Sequence, residues 1–327
     1  MSGLAVRLQR VWYDGEHVPF WLSALVPVYR ALRAFHLALY RLGIRRVTRV
    51  GVPVIVIGNL TAGGSGKTPL VIALVEALRA RGMRPAIVSR GYGGSQQAPT
   101  VLDDAPDPRR YGDEPCLIRR RTGAEVAIGR DRAEAAALLV KQGASVVIAD
   151  DGLQNPSLAR DIEICVIDGQ RRFGNEHLLP AGPLREPLDR LSRVDFRVCN
   201  GAGAEPGEVA MRLMGDMAVA VAGASRTRPL SSFVRQRVHA VAGIGNPARF
   251  FAGLQARGID VVPHAFPDHH AFVPGDLEFG DRSPVLMTEK DAIKCVNFAS
   301  PDMWCVPVSA DLPSTFIEAL VARLRSL

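Results

Sequence analysis

A chain of 327 residues with 47% hydrophobic and 22% charged side chains has the make-up of a globular protein of about two domains, which excludes a disordered one. Its five cysteines, Cys116, Cys165, Cys199, Cys295 and Cys305, are odd in number, scattered and never spaced C-x-x-C; this argues against a disulfide framework and a zinc site and points to a reducing compartment. Eight arginines and only two acids fall within residues 1–50, which therefore hold +6 of the net charge of +7; a uniformly basic body would suggest nucleic acid, whereas a basic arm on a near-neutral body suggests that a partner docks at that end.

Residues 1–46 are that arm. Val18 to Tyr29 carries no formal charge, but twelve residues are too few to cross a bilayer, and Pro19 and Pro27 are expected to break the run. Val28 to Leu42 predicts an amphipathic helix, with Arg30, Arg33 and Arg41 on one side and Leu32, Phe35, Leu39 and Leu42 on another. Trp21, Tyr29 and Tyr40 are aromatics suited to an interface. A helix lying in the surface of an anionic membrane fits this pattern, and so does a core helix with a solvated basic face.

Residues 47–205 read as an α/β core. The apolar β-branched run Val54 to Ile57 predicts a buried parallel strand, and the recurrence of Leu70, Val71, Leu74, Val75 and Leu78 predicts a helix closed by Gly82. Further strands are expected at 86–89, 144–149 and 162–167, with a helix at 132–142. Strands alternating with helices imply a parallel sheet with helices on both faces. Residues 206–236 read as a linker with short strands, and 237–327 as a smaller C-terminal α/β domain that starts near Val238 and ends in the helix Ser314–Leu324.

Between the first strand and helix lies Thr61-Ala62-Gly63-Gly64-Ser65-Gly66-Lys67-Thr68. The phosphate-loop pattern is G-x-x-x-x-G-K-[ST], so Thr61 stands where the first glycine belongs. That glycine serves loop geometry, and Gly63–Gly64 can supply the bend. Glycine amides and a helix N-terminus favour an anion, Lys67 brings a full charge to the β- and γ-phosphates, and Thr68 can place a hydroxyl on Mg²⁺. Lys67 is one of only four lysines against 36 arginines. Asp150 and Asp151 end the strand V-V-I-A, where at least one is expected to organise the magnesium; a plain turn pair before Gly152 is the alternative.

Eight segments then occur in one order: V-I-G-N-L-T-A-G-G-S-G-K-T-P (56–69), S-R-G-Y-G-G (89–94), G-D-E-P (112–115), A-D-D-G-L-Q (149–154), L-L-P-A-G-P-L-R-E-P (178–187), G-I-G-N-P (243–247), F-P-D-H-H (266–270) and M-T-E-K-D-A-I-K-C (287–295). Together they resemble the tetraacyldisaccharide 4′-kinase family of lipid A biosynthesis, from about residue 20 almost to the C-terminus. The resemblance implies an ATP- and Mg²⁺-dependent kinase that phosphorylates the 4′-hydroxyl of a tetraacylated glucosamine disaccharide 1-phosphate, giving lipid IVA. It also implies a peripheral or monotopic place on the cytoplasmic face of the bacterial inner membrane, with no obligate protein partner. By the same resemblance Asp113 is the catalytic aspartate and His269 the histidine that pairs with it. Glu186 helps hold magnesium, Arg185 steadies phosphate charge, and Arg90 and Tyr92 contact nucleotide or acceptor phosphate. Asn155 and the run Asn175-Glu176-His177 depart from the family pattern. The phosphate loop alone would also suit a soluble small-molecule kinase or ligase, or a nucleotide-dependent switch, although no N-K-x-D guanine signature is present.

Overall fold

The structure is a computed structural model that describes residues 3–223 and 226–327, so the first two residues of the arm and two of the expected linker lie outside it. The arm forms two helices, α1 (Gly3–Tyr13) and α2 (Phe20–Arg41). α1 is tied to the body: the Asn175 amide donates to the Trp12 carbonyl at 2.9 Å, and Trp12 Nε1 donates to the Pro180 carbonyl at 3.1 Å. α2 begins at Phe20, upstream of the expected Val28, and continues through Pro27. A proline inside a helix forfeits one N–H and costs about 3 kcal/mol in an ordinary helix. Here it interrupts a 22-residue run rich in Leu and Ala, and the other turns keep the helix continuous.

α2 presents two faces. Trp21, Leu25, Val28, Leu32 and Phe35 recur alternately three and four residues apart and are each at least 45% exposed. On the other side Leu22 is buried, Tyr29 Oη donates to the Arg185 carbonyl at 2.8 Å, and Arg33 pairs with the Glu186 carboxylate. Arg33 was expected to share one outward basic side with Arg30 and Arg41, facing headgroups or solvent, but it is turned inward. Helical spacing gives which residues share a face, not which face a distant carboxylate will claim.

The body alternates strands and helices: β1 (Val54–Gly58), α3 (Lys67–Arg79), β2 (Pro85–Ser89), β3 (Thr100–Val101), α4 (Pro108–Tyr111), α5 (Asp113–Thr122), β4 (Val126–Ile128), α6 (Arg132–Lys141), β5 (Val146–Asp150), β6 (Ile162–Asp168), β7 (Phe196–Asn200) and β8 (Val209–Met214). β1 lies at the centre, parallel to β5 on one side and β6 on the other. Its side chains alternate: Ile55 and Ile57 pack with Leu70, Leu74 and Leu78 of α3, while Val54 and Val56 pack with Ala136 and Leu139 of α6. Both faces are covered, which is why these strands read as continuous apolar runs. This is the expected α/β fold, a phosphate-loop-type parallel sheet with helices on both faces.

The remaining elements are β9 (Met217–Ala220), β10 (Thr227–Pro229), β11 (Arg237–Ala242), α7 (Pro247–Gln255), β12 (Asp260–Ala265), β13 (Val285–Thr288), α8 (Glu289–Cys295), β14 (Met303–Val306), β15 (Ser309–Asp311) and α9 (Ser314–Arg325). Among the described residues the first sheet runs β15-β8-β7-β6-β1-β5-β2-β4-β3 and the second β10-β9-β14-β13-β11-β12. The stretch read as a linker is thus divided between the two sheets. β8 extends the first sheet, while β9 and β10 form the antiparallel margin of the second. The chain also returns at its end. β15 pairs with β8, and α9 sets Phe316, Ile317, Leu320, Val321 and Leu324 into the core that contains α3. Those five lie on one stripe of the helix, and its burial on the first sheet draws the last residues away from the C-terminal unit.

Candidate active site

In an open parallel sheet a ligand crevice forms beyond the carboxyl ends of the strands. β1, β2, β5, β6 and β7 all deliver polar residues there: the phosphate loop, Tyr92, Asp151, Asp168 and Asn200. The carboxyl ends of β11, β12 and β13 face them with Gly243–Pro247, Phe266–His270 and Thr288 with α8. Between the two lies a cavity of about 780 Å³, lined by Gly63, Gly64, Ser65, Gly66, Lys67, Thr68, Tyr92, Asp151, Arg185 and His269 among others.

The phosphate loop is curled. Gly63 has φ 107° and Gly66 φ 90°, left-handed values that glycine adopts without strain. Thr61 is in ordinary extended backbone and forms a bridge with Leu184, while the Ala62 amide donates to the Pro183 carbonyl at 2.8 Å. The first glycine of the pattern is dispensable here because this position is pinned by the 183–185 segment and the bends fall later. Ala62 also offers its carbonyl to Tyr13 Oη at 3.4 Å. Lys67 opens α3, with its Nζ 3.3 Å from Asn59 Oδ1 and 3.3 Å from Asp151 Oδ1. Ser65 is buried and its hydroxyl has no hydrogen-bond partner among the described residues.

Asp150 and Asp151 differ sharply. Asp150 is buried and neither carboxylate oxygen has a partner among the described residues. Burial, reinforced by Glu114 and opposed by Lys67, pushes its carboxyl up to about 7. Asp151 adopts φ 49° and touches Lys67 at 3.3 Å and Arg185 at 3.2 Å. Burial would raise it, but these cations outweigh burial and hold it at about 2. Two orphaned oxygens buried within reach of the Lys67 charge, together with Thr68 in the lining of the cavity, are hard-oxygen donors that fit a magnesium ion. Glu186 is buried too, but it is already engaged by Gln154 at 3.0 Å, by Arg33 and by Arg190 at 3.6 Å. It could meet a metal only if Arg33 moved away.

Asp113 opens α5 directly after Gly112, whose φ of 90° and close approach to the Tyr92 carbonyl leave no room for a side chain. Its Oδ2 is 3.1 Å from His269 Nδ1, so residues 156 apart in sequence and carried by different sheets meet. Tyr92 sets its ring edge-on against His269, with centroids 5.0 Å apart. Lys294 Nζ lies 3.6 Å from the same Asp113 oxygen, and Lys290 Nζ 3.4 Å from His269 Nε2. Burial pulls the Asp113 carboxyl upward, but the hydrogen bond from His269 and the charges of Lys294 and Lys290 prevail and hold it below its ordinary value. With Asp113 ionised, His269 Nδ1 is the donor of that hydrogen bond, and Nε2 faces Lys290. Lys290 is itself bound by Glu114 and Asp268, each at 3.2 Å; burial works against its charge, and these carboxylates raise its pKa in spite of that.

Of the other expected residues, Arg90 is exposed at the end of β2 and does not line the cavity. Several residues at the site were not anticipated: Asp168, Asn200, Arg249, Lys290 and Lys294. The two lysines had a signal, since with Lys67 they make three of the chain's four. Lysine scarcity was informative at all three positions.

A comparison with known families decides the assignment: the model of the tetraacyldisaccharide-1-P 4′-kinase family, LpxK, matches residues 18–325. The chain belongs to this family. It is similar to the tetraacyldisaccharide 4′-kinases of Xanthomonas euvesicatoria pv. vesicatoria, at 52% identity over all of this chain and 98% of that one, and of Stenotrophomonas maltophilia, at 50% identity over all of this chain and 99% of that one. Among solved structures it is similar to LpxK of Aquifex aeolicus crystallised with ATP, with a TM-score of 0.73 and 28% identity over 92% of this chain and 98% of that one. Against the family's arrangement, Asn155 and Asn175 have plain local roles here. Asn155 Oδ1 accepts from the Ser157 amide at 3.0 Å, and Asn175 Nδ2 donates to the Val11 and Ala181 carbonyls.

Proposed function

We propose that this chain transfers the γ-phosphoryl group of ATP to the 4′-hydroxyl of a tetraacylated glucosamine disaccharide 1-phosphate, at an anionic membrane surface. The observation that carries the reading is the meeting of Asp113 with His269 at the rim of a cavity whose floor is a curled phosphate loop. The loop amides and Lys67 bind and align the triphosphate. Arg185 and Tyr92, which line the same cavity, flank it, and Arg90 stands outside to meet acceptor phosphate. Asp113 receives the proton of the sugar hydroxyl as the phosphoryl group arrives. A carboxylate held this acidic is a weak base for a free alcohol, but in a loose phosphoryl-transfer transition state catalysis rests mainly on orienting the nucleophile. His269 fixes which lone pairs of Asp113 face the cavity, and the two lysines keep that carboxylate charged.

Thr68 and Asp150 would hold the magnesium ion, with Asp151 set between Lys67 and Arg185 to orient them. Bound there, the ion would supply charge neutralisation for the phosphates. The metal-free protein should lose stability as pH rises from about 4, where an ordinary aspartate ionises, to about 7, where Asp150 does so in the fold. Below pH 7 a metal must displace the Asp150 proton, so MgATP should raise the melting temperature more at pH 8 than at pH 6. Equal shifts in calorimetry at the two pH values would remove Asp150 from this role.

The bare apolar stripe of α2 supports the membrane part of the reading, since an apolar helix face left to water is otherwise costly. Arg30, Arg41, Arg45 and Arg46 are exposed at or near the same helix, suited to anionic headgroups. No described helix is long and apolar enough to cross a membrane. Vesicle co-sedimentation should show binding to anionic vesicles that weakens at high salt, and Leu32→Glu with Phe35→Glu should reduce it by about tenfold or more. Unchanged binding by the double variant would place the contact elsewhere. The reaction itself is tested by following label from [γ-³²P]ATP into a lipid A disaccharide precursor in detergent micelles. Folded protein that hydrolyses ATP without labelling lipid would overturn the reading.

A further inference from the structure

Asn200, at the end of β7, is buried between the phosphate loop and the second sheet. Its Nδ2 donates to the Ser65 carbonyl at 3.0 Å, and its Oδ1 accepts from Arg249 Nη2 at 3.2 Å. Arg249 is carried by α7 on the second sheet and also lies 3.7 Å from Asp168 Oδ2. Two glycines record how tightly this junction is built. A Cβ on Gly66 would fall 2.2 Å from Asn200 Nδ2, and a Cβ on Gly245, in the loop before α7, would fall 3.0 Å from the Gly64 nitrogen. Arg171 adds a hydrogen bond to the Gly245 carbonyl at 3.4 Å.

A primary amide has one donor end and one acceptor end. The Ser65 carbonyl can only accept and the Arg249 guanidinium can only donate. Turning Asn200 over would set its NH₂ against the guanidinium and its oxygen against the Ser65 oxygen. Arg249 therefore dictates which way Asn200 points. Across a trans peptide the carbonyl and the next N–H point in opposite directions. Holding the Ser65 carbonyl on Asn200 thus fixes the Gly66 N–H on the opposite side, and that amide is one of the loop's phosphate donors in the reading above.

We propose that Arg249 and Asn200 form a latch by which the second sheet sets the shape of the phosphate loop. Arg249 is a positioning residue: it orients Asn200, Asn200 orients the Ser65–Gly66 peptide, and the loop binds triphosphate well only when the two sheets are engaged. By linkage, nucleotide favours engagement by the same factor that engagement favours nucleotide. The inference rests on the nucleotide part of the proposed function and adds to it the coupling between the two halves of the cavity.

The test is a double-mutant cycle on MgATP affinity, measured by calorimetry on the full chain, with Arg249→Gln and Asn200→Ala. Each single variant should weaken ATP binding by about tenfold, and the double variant should be little worse than the weaker single one, because both break one connection. Asn200→Asp serves where Asn200→Ala folds poorly. It keeps a partner for Arg249 but turns a carboxylate towards the Ser65 carbonyl, so it should lose ATP affinity as Asn200→Ala does. A fluorophore pair across the two sheets should need about tenfold more ATP to report engagement in Arg249→Gln, while the KM for the lipid acceptor stays unchanged. Additive losses, or an Asn200→Asp variant that binds ATP like the wild type, would overturn the latch, as would a lower melting temperature with unchanged ATP affinity. Wild-type protein that binds ATP with this coupling but labels no lipid would instead sink the lipid-kinase reading and leave the latch standing.

Discussion

Lys67→Ala is expected to lower kcat/KM for phosphoryl transfer by about 10³-fold or more, in steady-state assays with ATP and lipid acceptor. Removing one preorganised group that faces developing charge in a water-poor site costs on the order of 10² to 10³ in rate, and Lys67 brings a full charge rather than a dipole. Its Nζ is positioned by Asn59 and Asp151, both at 3.3 Å, so the charge is fixed and not swung in from solvent. The loss of Lys67 also removes one of the three cations that hold Asp151 at about 2, leaving Arg185 and Arg132. Lys67→Arg should fail as well, because a planar fork cannot take the place of a compact ammonium against Asn59. Since Lys67 lies at the start of α3 with its head in the cavity, the fold should survive and the circular dichroism spectrum should be unchanged. A Lys67→Ala enzyme retaining a tenth of wild-type turnover would mean that the loop does not carry the transferred phosphate.

Asp113→Ala should lower kcat by about 10²-fold or more with the KM for ATP nearly unchanged, because in the proposed reaction the residue serves the acceptor and not the nucleotide. His269→Ala should cost less, about tenfold, because it acts through Asp113. The two together should be little worse than Asp113→Ala alone. The pH dependence follows from the direction of the Asp113 shift. A depressed carboxylate contributes its share of stability above its unfolded pKa and loses it as pH falls through the lower folded one. Its ionised form is therefore retained to pH values below the ordinary carboxylate range. Any acid limb of kcat seen near neutrality therefore belongs to another group. Lys294→Met removes a charge 3.6 Å from Asp113 and should move the Asp113 limb upward. Near-normal kcat in Asp113→Ala would take the proton-accepting role away from this residue.

The phosphate loop was legible in sequence because strand, turn and helix are contiguous, so the local pattern contains its own context. The parallel sheet was legible for the same reason, since strands covered on both faces are apolar throughout. The pairing of Asp113 with His269 was not readable from either residue alone and came only with the family resemblance; in space the two are 3.1 Å apart. What the sequence hid depends on long-range packing. Pro27 looked like a helix breaker, but one lost hydrogen bond does not outweigh the turns on either side of it. Arg33 shares the helical spacing of the outward basic residues, and only the position of Glu186 beneath it turns it inward. Asn200 and Arg249 are 49 residues apart and belong to different sheets, so their contact follows from topology and not from spacing. The last helix looked like the end of a separate domain, yet its apolar stripe completes the core of the first sheet.

In the proposed reaction one cavity, floored by the phosphate loop and walled by the second sheet, delivers phosphate to a particular sugar hydroxyl of the lipid. The most direct measurement is the position of the new phosphate, read by ³¹P NMR and tandem mass spectrometry of the lipid product made from ATP and the acylated disaccharide 1-phosphate. The expected product is a phosphomonoester on the 4′-oxygen with the 1-phosphate untouched, formed by the wild type and not by Lys67→Ala. A diphosphate at the 1-position, or equal phosphorylation of a deacylated soluble disaccharide, would contradict it.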